Sequence, residues 1–190
     1  MASEVEIANR ALQRLGAKSI TNLSDDSRNA RAVNLAYESV KLSELRKHPW
    51  SFAVKRAQLA ASSTTPLFTK SNAFPVPSDF VRLLSQDPED LMNSNDWQIE
   101  GINIVTNDDA PLEIRYIYDV TDPNIMDPLF REAFAAKLAE ELCEEITQSN
   151  TKKADAFIAY KEIIAEAKRV NAIEKTAEDP PEDKWVTVRL

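Results

Sequence analysis

Cysteine, histidine and glycine are almost missing from this chain of 190 residues, and each shortage removes a class of chemistry. The one cysteine, Cys143, cannot form an internal disulfide and leaves no cysteine-based zinc site. The one histidine, His48, rules out two-histidine metal motifs and leaves little material for Ser-His or Cys-His catalysis. The two glycines, Gly16 and Gly101, leave no room for a phosphate-cradling P-loop or a GxGxxG dinucleotide loop. Long apolar runs are missing too, so no ordinary membrane-spanning helix is expected. The opening segment carries Glu4 and Glu6 before any apolar stretch, which is not the pattern of a secretory signal. These shortages lead to the expectation of no cofactor, no metal and no membrane, and of a protein that is not an enzyme.

What is present suits a folded chain. Hydrophobic residues make up 43% and charged residues 28%, enough apolar material for a core. The net charge is −8, a poor balance for wrapping DNA through its phosphates. That charge is uneven. Residues 1–60 hold ten Lys/Arg against six Asp/Glu, a balance of +4, and residues 61–190 hold thirteen against twenty-five, a balance of −12. Two differently solvated surfaces account for this asymmetry. So does a subunit with one basic and one acidic face that stacks head to tail with its copies.

Helical signals occupy both ends of the chain. Ser3 and Glu6 fit a capping box, Val5, Ala8, Leu12 and Leu15 follow at helical spacing, and Gly16 stands where a left-handed terminating residue belongs. Ser24-Asp25-Asp26 offers a second cap, with Ala30, Val33, Tyr37, Val40 and Leu45 as the buried stripe and Pro49 as the stop. His48 falls at that cationic helix end, a position that explains it without catalysis. Asp127-Pro128 restarts helix, with Phe130, Phe134, Leu138, Leu142 and Ile146 on one face. After Ser149-Asn150, Thr151 can cap a last helix whose stripe is Phe157, Tyr160, Ile164, Ala167 and Val170.

The middle is different in kind. Phe80–Leu84 reads as a strand, Ser85–Asp96 as a polar loop, and Trp97–Ile104 as a hairpin with Glu100-Gly101 as its turn. Leu112, Ile114, Tyr116 and Tyr118 alternate with polar residues as a half-buried strand. Trp50, Phe52, Phe80 and Trp97 are expected in the core of this module or at its seam with the helices. The fold class predicted is therefore α+β, mainly α. A four-helix bundle is built from residues 1–48 and 127–175, with a small antiparallel β insertion at 49–126 and an extended C-terminal tail at 176–190.

The clusters that could carry chemistry read more simply as surface or core. Glu140, Glu141, Glu144 and Glu145 lie within two turns of one helix, whereas a glycosidase sets two carboxylates across a cleft. They read as a solvated face. Asp108-Asp109 reads as a turn and Cys143 as a small residue in or beside the core. The lysines and arginine of the last helix (Lys152, Lys153, Lys161, Lys168, Arg169) are interrupted by Glu162 and Glu166, a mixed-charge face rather than a nucleic-acid track.

Several short segments taken in order resemble a known family. They are Ala11-Leu12-x-x-Leu15-Gly16, Ser27-x-x-Ala30-Arg31, His48-Pro49-Trp50-Ser51-Phe52-Ala53, Arg56-Ala57-x-Leu59, Phe74-x-x-Pro77-x-Asp79-x-x-Arg82-Leu83, the strand-turn-strand at Trp97–Ile104, and Leu112-x-Ile114-x-Tyr116 before an acidic two-helix end. In this order and spacing, from Val5 to about Lys175, the chain resembles the tail tubular protein A family, the head-to-tail adaptors of short-tailed bacteriophages. The resemblance implies a helical bundle interrupted by a β module. It also implies a structural role in the virion: a dodecameric ring of this chain below the portal protein, which extends the DNA channel and carries the tail nozzle (of the tail tubular protein B type) and, in some phages, tail fibres. DNA would slide through such a lumen without sequence-specific contacts, because an acidic wall repels phosphates.

Within that frame two sets of residues become candidate contacts. A ring of many copies uses unlike surfaces, so Arg10, Arg14, Arg28 and Arg31 of the basic first part are candidates to meet Glu141 or Glu145 of a neighbour. The tail places Trp185, Val186, Val188, Arg189 and Leu190 beyond Pro180-Pro181 with no local core to receive them, so it is a candidate arm for the portal or a neighbouring subunit. Two other classes remain open on the sequence: a carboxylate-dependent hydrolase acting on cell wall or polysaccharide, and a monomeric regulatory binding module.

Overall fold

The computed structural model describes residues 2–84 and 97–174, which divide into two compact units. One comprises residues 2–53 and 119–174, the other Val54–Tyr118 within the described residues. The tail at 176–190 and the loop expected at Ser85–Asp96 lie outside the described residues.

The helical unit is punctuated mostly by local chemistry. In α1 (Glu4–Arg14) the Ser3 hydroxyl accepts from the Glu6 backbone N–H at 3.1 Å, as the capping pattern predicts. At its end Gly16 N–H donates to Gln13 at 3.0 Å and Ala17 N–H to Leu12 at 2.9 Å, the paired closure that a residue in the left-handed region permits. Gly16 supplies that conformation at φ +69°.

α2 (Arg28–Lys47) is capped by Ser27, whose hydroxyl accepts from Ala30 N–H at 3.1 Å. The cap expected within Ser24–Asp26 falls later because the Asp25 carboxylate is already occupied. It accepts from Thr21 N–H at 2.8 Å and Asn22 N–H at 3.0 Å, tying off the preceding turn. α3 (Pro128–Thr147) starts as predicted, with Asp127 accepting from the backbone N–H groups of Leu129 and Phe130. Gln148 at φ 53° turns the chain, and Ser149 rather than Thr151 caps α4 (Asn150–Ile173).

All three other helices pack on α3, while α1 and α2 scarcely meet. Trp50, Phe130, Phe134, Leu12, Leu45, Val33 and Leu138 are fully buried in this unit. The Trp50 and Phe130 rings meet edge to face at 5.0 Å, as do Tyr37 and Phe134. The Trp50 indole N–H is satisfied by the carbonyl of Glu44 at 3.1 Å. Trp50 is thus core of the helical unit, not of the β part, while Trp97 stands 38% exposed. Phe157, expected in the buried stripe of α4, is also exposed, and the Lys161 ammonium lies 4.4 Å from its ring centre.

The second unit holds two three-stranded antiparallel sheets. One has the order β1-β6-β3, from Val54–Leu59, Leu112–Tyr118 and Phe80–Leu84. The other has the order β2-β5-β4, from Asn72–Pro75, Asn103–Thr106 and Gln98–Glu100. Leu59, Ile114 and Tyr116 from the first sheet form one core with Phe74 and Ile104 from the second. The hairpin pairs Glu100 with Asn103, so its two-residue turn is Gly101-Ile102, one position later than expected. Gly101 stands first in that turn at φ +61°, the conformation a two-residue hairpin asks of its leading residue.

The four-helix bundle with a small β insertion is therefore corrected. Of the described residues 48% are helical and 18% strand, in four α-helices and two three-stranded antiparallel sheets. Two physical reasons separate the pattern from the outcome. Three helices share α3 as their common neighbour instead of closing four staves around one axis. And β1, whose sequence VKRAQL shows little alternation, becomes a strand only by pairing with β6, where Gln58 and Glu113 meet across 55 positions of chain.

Candidate functional site

The candidate interface arginines are ordered by partners inside their own chain. On α1, Arg10 Nε and Arg14 Nη2 donate to the Glu132 carboxylate on α3 at 3.0 and 2.7 Å. Burial pushes the Glu132 pKa up, but the hydrogen bonds from Arg14 and Arg10 outweigh it and hold the carboxyl below its ordinary range. A carboxylate so paired is a weak base. Arg28 donates to the backbone carbonyl of Glu145, and Arg31 to the Asp26 carboxylate. Glu145 itself is exposed, and Glu141 is exposed with Lys137 Nζ 3.6 Å away. Trp185, Val186, Val188, Arg189 and Leu190 lie outside the described residues.

An open groove of about 1040 Å³ runs along α1, lined by Val5, Asn9, Gln13, Ala17, Pro128 and Arg131 among others. A smaller one of about 540 Å³ lies between Arg14, Ala136, Ala139, Lys152, Asp155 and Ala159. Both are lined by a mixture of small apolar, polar and charged side chains.

A second set of polar residues fastens the helices together. Glu44 on α2 is fully buried and accepts from the Tyr160 hydroxyl on α4 at 2.9 Å and from Lys47. The Lys47 and Lys137 ammonium groups each lie 5.6 Å from the Tyr160 ring centre, and Lys137 is paired in turn with Glu140. Burial, and then the Glu44 charge, push the Tyr160 hydroxyl far above its ordinary pKa. One turn earlier, Lys41 is 3% exposed and reaches Asp119 at 2.8 Å and Glu38 at 2.9 Å. Burial pulls the Lys41 pKa down, but the bonds to Asp119 and Glu38 win and raise it. Sequence reasoning missed this cluster. The signal was available, since Lys41 and Glu44 fall between Tyr37, Val40 and Leu45 on the buried stripe of α2.

His48 closes α2 as expected of a helix-end residue. Its Nε2 lies 2.9 Å from Asn171 Nδ2 and its ring meets Trp50 at 4.7 Å. Asn171 in turn accepts from the Ser51 backbone and hydroxyl at 2.9 Å each, stitching the end of α4 to this turn. Cys143 is a buried free thiol, as read from the sequence.

In the strand unit, Asp79 accepts from Lys55 at 2.6 Å and from the Tyr116 hydroxyl at 3.0 Å. Burial raises the Asp79 pKa, and the bonds from Lys55 and Tyr116 more than reverse it. Tyr116 is pushed up to about 12 by burial and by Asp79. This triad joins the loop before β3 to β1 and β6. Leu67 at 96% exposure, Phe68 at 77% and Ile102 at 73% stand outward from the same unit.

Three of the four clustered glutamates of α3 lie against lysines. Glu140 and Glu141 lie beside Lys137, and Glu144 pairs with Lys153 at 2.7 Å. Among the described residues no group of three or more His, Cys, Asp or Glu side chains is placed to hold a metal ion. Among those residues, too, no helix is long and apolar enough to cross a membrane. No protein-family model matches the chain, and no curated protein matches it.

Proposed function

We propose that this chain is a structural head-to-tail adaptor of a short-tailed bacteriophage, acting in the virion as a ring of copies bound below the portal protein. The ring lengthens the DNA channel and offers the platform on which the tail nozzle sits. The observation that carries this reading is a division of labour between polar and apolar side chains. Several charged residues fasten the elements of their own unit together: Glu44 to Tyr160 and Glu132 to Arg14 join helices, Lys41 to Asp119 joins a helix to a loop, and Asp79 to Tyr116 joins a loop to a strand. The large apolar residues Leu35, Leu67, Phe68, Ile158 and Ile173 point outward in both units. That is the arrangement of a rigid part that works through its surfaces. The ordered segments from Val5 to about Lys175 supply the identity of the partners. The test is to mix the purified chain with its portal and image the product by negative stain. A ring stacked on the portal is the expected result, and a chain that never associates with portal at any concentration overturns the reading.

A further inference from the structure

We propose that the outer faces of α2 and α4 are the two halves of a contact between copies of this chain. The proposal rests on the ring assembly above and names the surfaces that make it.

On α2 the residues Arg28, Arg31, Leu35, Leu42 and Arg46 recur at helical spacing on the face opposite its buried stripe, with Arg28 at the helix start reaching back to the Glu145 carbonyl of α3. Leu35 is 84% exposed, and the stripe carries three guanidinium groups and no carboxylate. Glu38 sits at its edge, turned to Lys41. Arg28 and Arg31 have acceptors in their own chain, the Glu145 carbonyl and the Asp26 carboxylate. A guanidinium has five N–H donors, so each keeps donors for a second acceptor.

On α4 the outward stripe is Asp155, Ile158, Glu162, Ala165, Glu166 and Ile173. Ile158 is 57% exposed and Ile173 74%. Three carboxylates accompany these apolar groups, with Arg169 the cation among them. Both stripes run eighteen positions from first residue to last, about 27 Å at 1.5 Å per residue.

The occupant follows from charge and length. Two copies of the α2 face would set arginines against arginines, and two copies of the α4 face would set carboxylates against carboxylates. The unlike pairing sets a face with three arginines against one with three carboxylates and one arginine, and brings exposed apolar groups from both into one contact of similar length. A subunit that carries both halves repeats the contact with each neighbour, which closes into a ring when the rotation allows.

The test is cross-linking with engineered cysteines in the full chain, where buried Cys143 stays silent. Ser39 lies within the α2 face and Ala165 within the α4 face, both exposed. Ser39→Cys and Ala165→Cys chains are mixed, treated with a short bis-maleimide, and compared with each chain alone. The reaction is run on concentrated free protein and on protein bound to portal. The mixture should give a linked dimer that neither chain gives alone, and a chain with both substitutions should give a ladder. Yield should fall severalfold between about 0.05 and 1 M salt. The pair Arg31→Glu with Arg46→Glu should abolish linkage, and mixing it with a Glu162→Lys, Glu166→Lys chain should restore it. Rings on portal with no such link overturn these surfaces and leave the adaptor reading standing. Links without portal binding overturn the adaptor reading and leave the surfaces standing. No link and no ring overturn both.

Discussion

Tyr160 on α4 donates its hydroxyl to Glu44 on α2 at 2.9 Å, across 116 positions of chain, with Glu44 fully buried. Glu44 stands in the last turn of α2, where its backbone carbonyl also holds the Trp50 indole. One residue therefore anchors both the aromatic core and the α2–α4 seam. Tyr160→Phe should lower unfolding free energy by about 1–3 kcal/mol, because a buried carboxylate loses an acceptor bond with nothing to replace it. Glu44→Ala should cost about 1–3 kcal/mol as well, because the buried Tyr160 hydroxyl loses its acceptor while the 40% exposed Lys47 turns to water. Urea unfolding measures both. A loss below about 0.5 kcal/mol for Tyr160→Phe, within the range of surface substitutions, would show that the bond does not fasten the helices.

Acid should loosen the α1–α3 contact. Glu132 has a folded-state pKa below the ordinary 4.5, owing to Arg14 and Arg10 acting against burial. A depressed carboxyl contributes stability above its unfolded pKa and loses it as pH falls through the folded one. Melting temperatures taken from pH 7 downward should therefore drop once pH passes below about 4.5. Glu132→Gln should show a shallower drop over the same window, since its share of the sensitivity is gone. An identical slope in both chains would mean that Glu132 is not coupled to folding.

The end of α1 isolates a backbone effect. Gly16 sits at φ +69°, and a Cβ placed there would meet no atom within 4 Å. Gly16→Ala should thus cost roughly 1–2 kcal/mol from conformation alone. Gly16→Asn should recover part of it, because asparagine tolerates the left-handed region better. Thermal melts of the two variants check the order; a stabilising alanine would contradict the left-handed assignment.

What could be read from the sequence were the features decided within a few residues. Ser3, Gly16, Asp127 and Pro128 mark helix ends because capping needs only a side chain and the nearest N–H groups. Where several residues competed for one job, reading failed. Ser24, Asp25, Asp26 and Ser27 can all cap a helix, and Asp25 was claimed by the turn at Thr21 and Asn22. Long-range pairing was the other blind spot. The strand character of β1 and the division into two sheets depend on partners far along the chain. The same holds for the site: Arg10 and Arg14 were visible as cations, but their convergence on Glu132 was not. Lys41 and Glu44 drew no reading from the sequence, because their partners Asp119 and Tyr160 come from far along the chain.

Leu138 and Phe157 make the sharpest contrast between pattern and packing, since both were expected in the helical core. Leu138 is fully buried on α3, the helix that every other helix touches. Leu138→Ala leaves a cavity at a fully buried site, so it should cost about 2–5 kcal/mol. Phe157 is 42% exposed on α4, with the Lys161 ammonium over its ring. Phe157→Ala removes little buried area and opens no enclosed cavity, so it should cost about 1 kcal/mol at most, chiefly the exposed cation–π contact. Urea unfolding of both variants at one pH gives the comparison directly. Equal losses would return Phe157 to the core and would mean that α4 packs on α3 with a different face from the one led by Tyr160 and Ile164.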